Sequence, residues 1–209
     1  ILSTSRYVSN AFSGVEDEEI FLLRQYTSMI YCNRSVEESI EFAVISEDEM
    51  NDRASDELYR IRTAIRRTND EIKQKLNSYL HSSSISKYMQ DSLITVREQR
   101  YVIPVKTEYK SYVPGLIHDQ SASGATVFIE PMAIVNLNNK LKELYIDEKN
   151  EIERILTEFT SEISKFSDRL KENENILAYL DAVFSKAKYA NDTRCTMPIV
   201  NDKGYIDIR

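Results

Sequence analysis

A mainly α fold, in which two long antiparallel helices carry a small antiparallel β-sheet at their tip, is predicted by three observations. The chain holds only four Gly and four Pro in 209 residues, a scarcity that favours long uninterrupted helices. Five of those eight breakers, Pro104, Pro114, Gly115, Gly124 and Pro131, fall in one island. The flanks on either side carry apolar residues at helical spacing.

The N-terminal flank comes first. Ile20, Leu22, Leu23, Tyr26, Met29 and Ile30 suggest a helix over residues 19–31. Ser35 with Glu38 has the capping-box spacing and opens a short helical segment. Ala54, Leu58, Ile61, Ile65, Ile72, Leu76 and Tyr79 then step by three, four or seven, a heptad-like stripe with charges on the other faces. A helix over residues 47–80 is ~50 Å long at the α-helical rise, and the run Ser82-Ser83-Ser84 ends it.

The island follows. Residues 93–96 and 101–105 are rich in β-branched and aromatic side chains, with a hairpin turn expected over 97–100. Residues 113–118 and 125–129 are two more strand candidates, joined by the small and turn-forming residues 119–124. A sheet of three or four strands is expected. Beyond Pro131, Leu137, Leu141, Leu144, Ile152, Ile155, Phe159, Ile163, Phe166 and Leu170 form a second stripe, interrupted at Glu148. A helix over residues 132–170 spans ~58 Å; a third covers 175–190, and the tail from Pro198 reads as extended. The domain organisation is then 1–92 for a helical core and outgoing helix, 93–131 for the sheet, and 132–209 for the returning helix, core helix and tail. Antiparallel packing buries both stripes. Such a stalk suits reach and leverage and cannot enclose a substrate.

A hydrophobic content of 42% is enough to form a core, so disorder is not expected. No apolar run approaches the roughly 20 residues of a membrane span, so no membrane partner is expected, and no secretory signal opens the sequence. Cys32 and Cys195 have neither metal-type nor redox spacing and are expected as reduced thiols of a cytoplasmic protein. The net charge of −7 argues against a generally sticky nucleic-acid binder, so any such contact must come from a local patch. The chain begins at Ile1 and stops within the run Tyr205-Ile206-Asp207-Ile208-Arg209, and is expected to be a piece of a longer protein.

That local patch lies on the island. Arg97, Arg100, Lys106 and Lys110 against Glu98 and Glu108 give residues 97–118 a net charge of +2. Tyr101, Tyr109 and Tyr112 interleave with them. The choice is between a solvated sheet face and a phosphate-contacting tip, since Lys and Arg supply the sequence-independent attraction to nucleic acid. His118 and Asp119, with Ser121 and Ser123, invite a catalytic-triad reading, but neighbours on a strand point to opposite faces and do not support each other. A hydrogen-bonded turn is expected over 119–124, leaving His118, Gln120, Ser121 and Ser123 as partner-contact candidates. Catalytic and metal-binding residues are not expected. The acidic runs Glu16-Asp17-Glu18-Glu19 and Glu47-Asp48-Glu49 are placed at helix starts, where carboxylates complement the helix dipole. His81 is placed at a helix C-terminus for the converse reason.

The run His118-Asp119-Gln120-Ser121-Ala122-Ser123-Gly124-Ala125-Thr126-Val127-Phe128-Ile129-Glu130-Pro131, with Arg100-Tyr101-Val102-Ile103-Pro104-Val105-Lys106 before it, resembles a signature of one family. That family is the bacterial MutS paralogue with a C-terminal Smr domain, the "MutS two" branch. Asp52, Ala54-Ser55 and Leu58, Ile61-Arg62, Leu137-Asn138-Asn139 and Glu151-Ile152-Glu153-Arg154-Ile155-Leu156 extend the resemblance over residues 50–209. One departure is Glu98-Gln99, where the family commonly has a glycine. The resemblance implies core, lever and clamp domains, then a dimerising ATPase domain using ATP and Mg, then a Smr nuclease domain. This sequence has neither a G-x-x-x-x-G-K-[ST] phosphate loop nor the acidic-His-Gly signature of a Smr domain. It therefore resembles the core, lever and clamp alone, with no cofactor, ATPase or nuclease activity of its own. Two roles follow from the resemblance. One is the lever and clamp of a homodimeric protein that binds duplex or branched DNA in repair or in suppression of recombination. The other is the ribosome-binding portion of a factor that senses and splits collided ribosomes.

Overall fold

The computed structural model describes residues 1–13, 20–195, 199, 200, 202 and 204. Its helices are α1 (Leu2–Ala11), α2 (Phe21–Ser28), α3 (Arg34–Ala43), α4 (Asp56–Leu80), α5 (Val135–Ser164) and α6 (Ser167–Thr193). Between α4 and α5 lie the strands β1 (Thr95–Arg97), β2 (Arg100–Lys106), β3 (Gly115–Gln120) and β4 (Thr126–Pro131). The fold is mainly α with one small antiparallel sheet, as the distribution of Gly and Pro predicts. The chain forms two compact units, one of residues 40–160 and one of 1–39 with 161–209.

In the 40–160 unit, α4 starts where Ser55 Oγ accepts a hydrogen bond from the Leu58 backbone N–H at 2.9 Å, an N-cap followed by Asp56 and Glu57 in the first turn. The helix therefore starts at 56 and not at 47. Residues 45–49 form a tight turn instead, closed by the Ile45 N–H on the Glu49 carbonyl and by a bridge between Val44 and Met50. Glu47, Asp48 and Glu49 lie in that turn, away from any helix start. Leu58, Ile61, Ile65, Ile72, Leu76 and Leu80 form the buried stripe of α4, and α5 packs antiparallel along it. Ser55 Oγ donates to Glu151 at 2.6 Å, Arg62 Nε donates to Glu148 at 2.6 Å, and Leu58 shares a buried cluster with Ile155. Glu148, the interruption in the apolar pattern, is thus the partner of an arginine that also holds Asp52 at 2.7 Å.

The Glu151 carboxyl accepts from Arg154 and from Ser55, and the Arg154 bonds dominate in pulling its pKa from the usual 4.5 down to about 2. A carboxyl depressed in the folded state adds stability above its unfolded pKa and loses it as the pH falls through the folded one. The urea midpoint of the chain is expected to fall between pH 4.5 and 2, and Glu151→Gln to show a shallower fall over that window. Equal slopes for the two proteins would contradict this.

The sheet has the order β1-β2-β4-β3, antiparallel throughout. Ile103, Val105, Val127 and Ile129 pack against Ile72, Leu76 and Leu80 of α4 and against Ile134 and Leu141 where α5 begins. The sheet therefore sits on the C-terminal half of α4 and the N-terminal end of α5. Pro104 is tolerated inside β2 because β1 has already ended there, and its carbonyl accepts from the Gln90 N–H.

Glu98 and Gln99 join β1 to β2 with φ of 48° and 62°. Two successive left-handed residues make the type I′ hairpin turn that favours Asn-Gly. A residue with a Cβ is held there against its preference by roughly 1–2 kcal/mol. Gln99→Gly is expected to raise stability by about 1 kcal/mol, read from the denaturant midpoint. A lower midpoint would mean that the Gln99 side chain contributes more than its backbone costs.

In the unit of 1–39 with 161–209, the helix expected over 19–31 is the shorter α2. The cap of α3 is Asn33, whose Oδ1 accepts from the Val36 N–H at 3.2 Å, in place of Ser35. Helix α1 is not foreshadowed by the apolar pattern. Ser5 is its one buried residue, and its short apolar face, with Val8 and Phe12, lines an open groove with Leu177 and Phe184 of α6 instead of entering a core. The single helix expected over 132–170 is broken after Ser164. Phe166 leaves helical geometry at φ −131°, ψ 23°, and its buried ring meets Tyr31 at 5.3 Å. Residues 167–193 are then continuous, so the expected break near 171–174 is absent. Asn173 of α6 accepts the Tyr31 N–H at 2.8 Å and donates to the Tyr31 carbonyl at 2.7 Å and to Ser5 Oγ at 3.0 Å. Arg6 forks onto Glu37, holding that carboxyl below its usual pKa. The acidic run of residues 16–19, Pro198 and residues 205–209 lie outside the described residues.

Candidate nucleic-acid interface

The sheet brings some of the expected contact residues together, for a reason the sequence did not display. Glu130, near the end of β4, is fully buried and collects three donors. Arg100 Nη1 of β2 reaches its two carboxylate oxygens at 2.8 and 3.0 Å, His118 Nε2 of β3 lies 2.5 Å from Oε2, and Asn138 Nδ2 of α5 donates to Oε1 at 2.8 Å. A β-bulge between Ile117 and Asp119 turns His118 toward this carboxylate. Arg100 continues to Asn139 Oδ1 at 2.6 Å.

Asn138 has a second task. The β2–β4 pairing ends at Ile103 and Ile129, and continuing its register would set Tyr101 against Pro131, which has no N–H to give. Asn138 takes the strand's place: Oδ1 accepts the Tyr101 N–H at 3.2 Å and Nδ2 donates to the Tyr101 carbonyl at 3.0 Å. Tyr101 Oη donates to Asn69 of α4 at 2.9 Å, and burial is the largest cause of the rise in its phenol pKa.

The geometry sorts the eight candidates. Arg100 and His118 are bound up in the buried Glu130 cluster. Arg97 is half-buried, pairs with Asp119 at 3.2 Å and lies over the Phe128 ring at 4.4 Å. The turn expected over 119–124 is shorter, because Asp119 and Gln120 still pair with β4 as the end of β3, and it starts at Ser121. The Ser121 N–H donates to the Thr126 carbonyl, the Gly124 N–H to the Ser121 carbonyl, and Gln120 Nε2 to the Gly124 carbonyl at 3.1 Å. Ser121 Oγ accepts from the Thr126 N–H at 3.0 Å, and His118 is directed to Glu130, so no base stands beside a serine. Lys106 caps the start of a 3-10 turn, Thr107–Tyr112, and Lys110 lies within it; neither forms an ion pair among the described residues.

Around that turn the structure adds two residues missed in the sequence, Lys87 and Tyr88, from the 3-10 turn Ser86–Tyr88. Tyr88 meets Tyr109 and Tyr112 at 5.2 Å each, and Lys87 Nζ sits 4.9 Å over the Tyr88 ring. Tyr112 is 62% exposed, a large aromatic face open to a partner. Both missed residues precede the island of Gly and Pro, where nothing in the pattern marks them.

No protein-family model matches the chain. It is 50% identical over all 209 residues to the endonuclease MutS2 of Clostridium perfringens (strain SM101) and 48% identical, again over its full length, to that of Clostridium acetobutylicum. The chain is a MutS2 homologue. Against the endonuclease MutS2 of Geobacillus sp. (strain WCH70) the identity is 45% over 98% of the chain. The chain spans about a quarter (26%) of the length of each of these MutS2 proteins. The similarity reaches residues 1–49, which the signature runs do not cover. The four glycines of the chain are isolated from one another, so it has no Gly-rich loop to cradle a nucleotide's phosphates. Among the described residues no group of three His, Cys, Asp or Glu side chains is arranged to hold a metal ion, and no helix is long and apolar enough to cross a membrane. Cys32 and Cys195 are both free and exposed.

Proposed function

We propose that this part of MutS2 is a non-catalytic lever and clamp whose sheet end contacts the phosphate backbone of nucleic acid, DNA in the first instance. The observation that supports it most is the set of Lys87, Lys106 and Lys110 on the same segments as the clustered rings of Tyr88, Tyr109 and Tyr112. Phosphate contacts from lysine position a protein on nucleic acid without reading sequence, and an exposed tyrosine face stacks on any base. The name endonuclease carried by the relatives accords with a nucleic-acid substrate. In this reading nuclease and ATPase chemistry belongs to sequence beyond these 209 residues, and homodimerisation to the same remainder. Arg100 and His118, candidates by sequence, serve the sheet.

The test is a titration of the chain with labelled duplex and branched DNA over a range of salt, alongside Lys87→Glu/Lys106→Glu/Lys110→Glu. The triple variant is expected to bind at least ~10-fold more weakly and to lower the salt slope by up to about 3, one for each phosphate that a lysine no longer neutralises. Unchanged affinity would remove the reading. Capture of ribosomal particles without any DNA shift would move it to a ribosomal partner.

A further inference from the structure

A second cationic feature lies on the paired helices of the 40–160 unit. A groove of about 520 Å³ runs between α4 and α5, lined by Arg60, Thr63, Arg67 and Thr68 with Tyr59 at one end and Lys140 across from them. Arg60 and Arg67 are seven residues apart on one face of α4, and Lys140 comes from α5.

Among the described residues these charges are largely unneutralised. Arg67 and Lys140 are exposed and form no ion pair among the described residues. Arg60 approaches Glu57 at 3.6 Å with both side chains more than half exposed, a pairing of little worth. The single carboxylate on the groove, Glu71, faces Lys75 at 3.4 Å. Three cations thus line one groove, with one carboxylate, on a chain of net charge −7.

An independent feature points the same way. Thr68 is 2% exposed, yet its hydroxyl makes no hydrogen bond among the described residues. It is also not a sealed, unsatisfied atom, so the hydroxyl opens onto the groove it lines. A buried polar group without a partner is costly unless something outside the chain supplies one.

We infer that this groove binds a phosphate group, held by Arg67, Lys140 and Arg60 with the Thr68 hydroxyl donating. The phosphate belongs either to a nucleic-acid backbone lying along the helices or to a free nucleotide, and the volume is within the range of small-molecule sites. The inference stands on residues separate from the tyrosine and lysine set at the sheet.

The test is phenylglyoxal labelling of the chain, read by peptide mass spectrometry at Arg67, with Arg66, which pairs with Asp52, as the internal reference. It is run at low salt with inorganic phosphate, a nucleoside monophosphate and a DNA duplex in turn. At least one probe is expected to slow Arg67 labelling several-fold more than Arg66 labelling. Protection by duplex alone identifies a polymer backbone, and protection by the small anions identifies a free phosphate ligand. Arg67→Glu/Lys140→Glu, at exposed positions, is expected to weaken that probe's binding at least ~10-fold with an unchanged thermal melt. Lys106→Glu/Lys110→Glu is expected to leave Arg67 protection intact. Labelling of Arg67 unaffected by all three probes overturns the inference, and leaves the sheet reading standing if the lysine variants there still lose DNA. Arg67 protection with no effect of the sheet variants on DNA does the reverse.

Discussion

Glu130→Ala is expected to cost about 3–5 kcal/mol of folding stability, seen as a large fall in the urea midpoint. The carboxylate is wholly buried, and removing it strands Arg100, His118 and Asn138 together. The loss is expected to be mainly that of leaving the partners unpaired, since a buried ion pair in itself contributes little net stability. Glu130→Leu combined with Arg100→Met should therefore recover much of what Glu130→Ala loses. If the double variant is no better than the single one, the carboxylate matters for more than neutralising its partners. A midpoint shift below ~1 kcal/mol for Glu130→Ala would show that water replaces it freely.

Gly115→Ala is the second large expected effect. An added Cβ would lie 2.3 Å from the Glu130 carbonyl oxygen and 2.5 Å from Ile129 Cγ2. One of these is backbone in a paired strand, so no rotamer change relieves the clash and β3 must move off β4. Overpacking of this kind costs typically 1–3 kcal/mol and here takes the upper end. Because β3 carries His118, displacement should also loosen the Glu130 cluster. Amide hydrogen exchange is expected to accelerate across β3 and the partnered half of β4 before it changes in α4. Uniform exchange rates in the two proteins would contradict this account.

The α4 stripe and the strand segments could be read from residue types because each is a local pattern: Leu58, Ile61, Ile65, Ile72 and Leu76 recur at the helical period, and 101–105 is rich in β-branched residues. Boundaries that depend on distant partners could not. Ser46 and Ser55 look alike as caps, and only the turn over 45–49 and the Glu151 contact select Ser55. Lys165 and Phe166 contain no breaker, and the break there follows from the meeting of Phe166 with Tyr31. Glu130 reads as one more acidic residue until Arg100, His118 and Asn138 arrive from three other elements. An acidic residue inside the apolar run Val127-Phe128-Ile129 to Pro131, in a strand with a Pro end, was the available signal. Several residues quoted for the family resemblance, Asp52, Ser55, Arg62, Asn138, Asn139 and Glu151, turn out to be members of these polar contacts.

Asn138 and Asn173 do the same thing in the two units, each gripping both the N–H and the carbonyl of one tyrosine, Tyr101 or Tyr31. An amide bound at both ends admits no sliding. A one-residue axial shift of α5 moves its side chains ~1.5 Å and breaks both bonds at once, whereas an apolar seam would simply re-seat. Each helix is therefore indexed to its neighbouring backbone like a key in a slot, and a push along α5 arrives at β2 as displacement of the whole sheet rather than as slippage between the two.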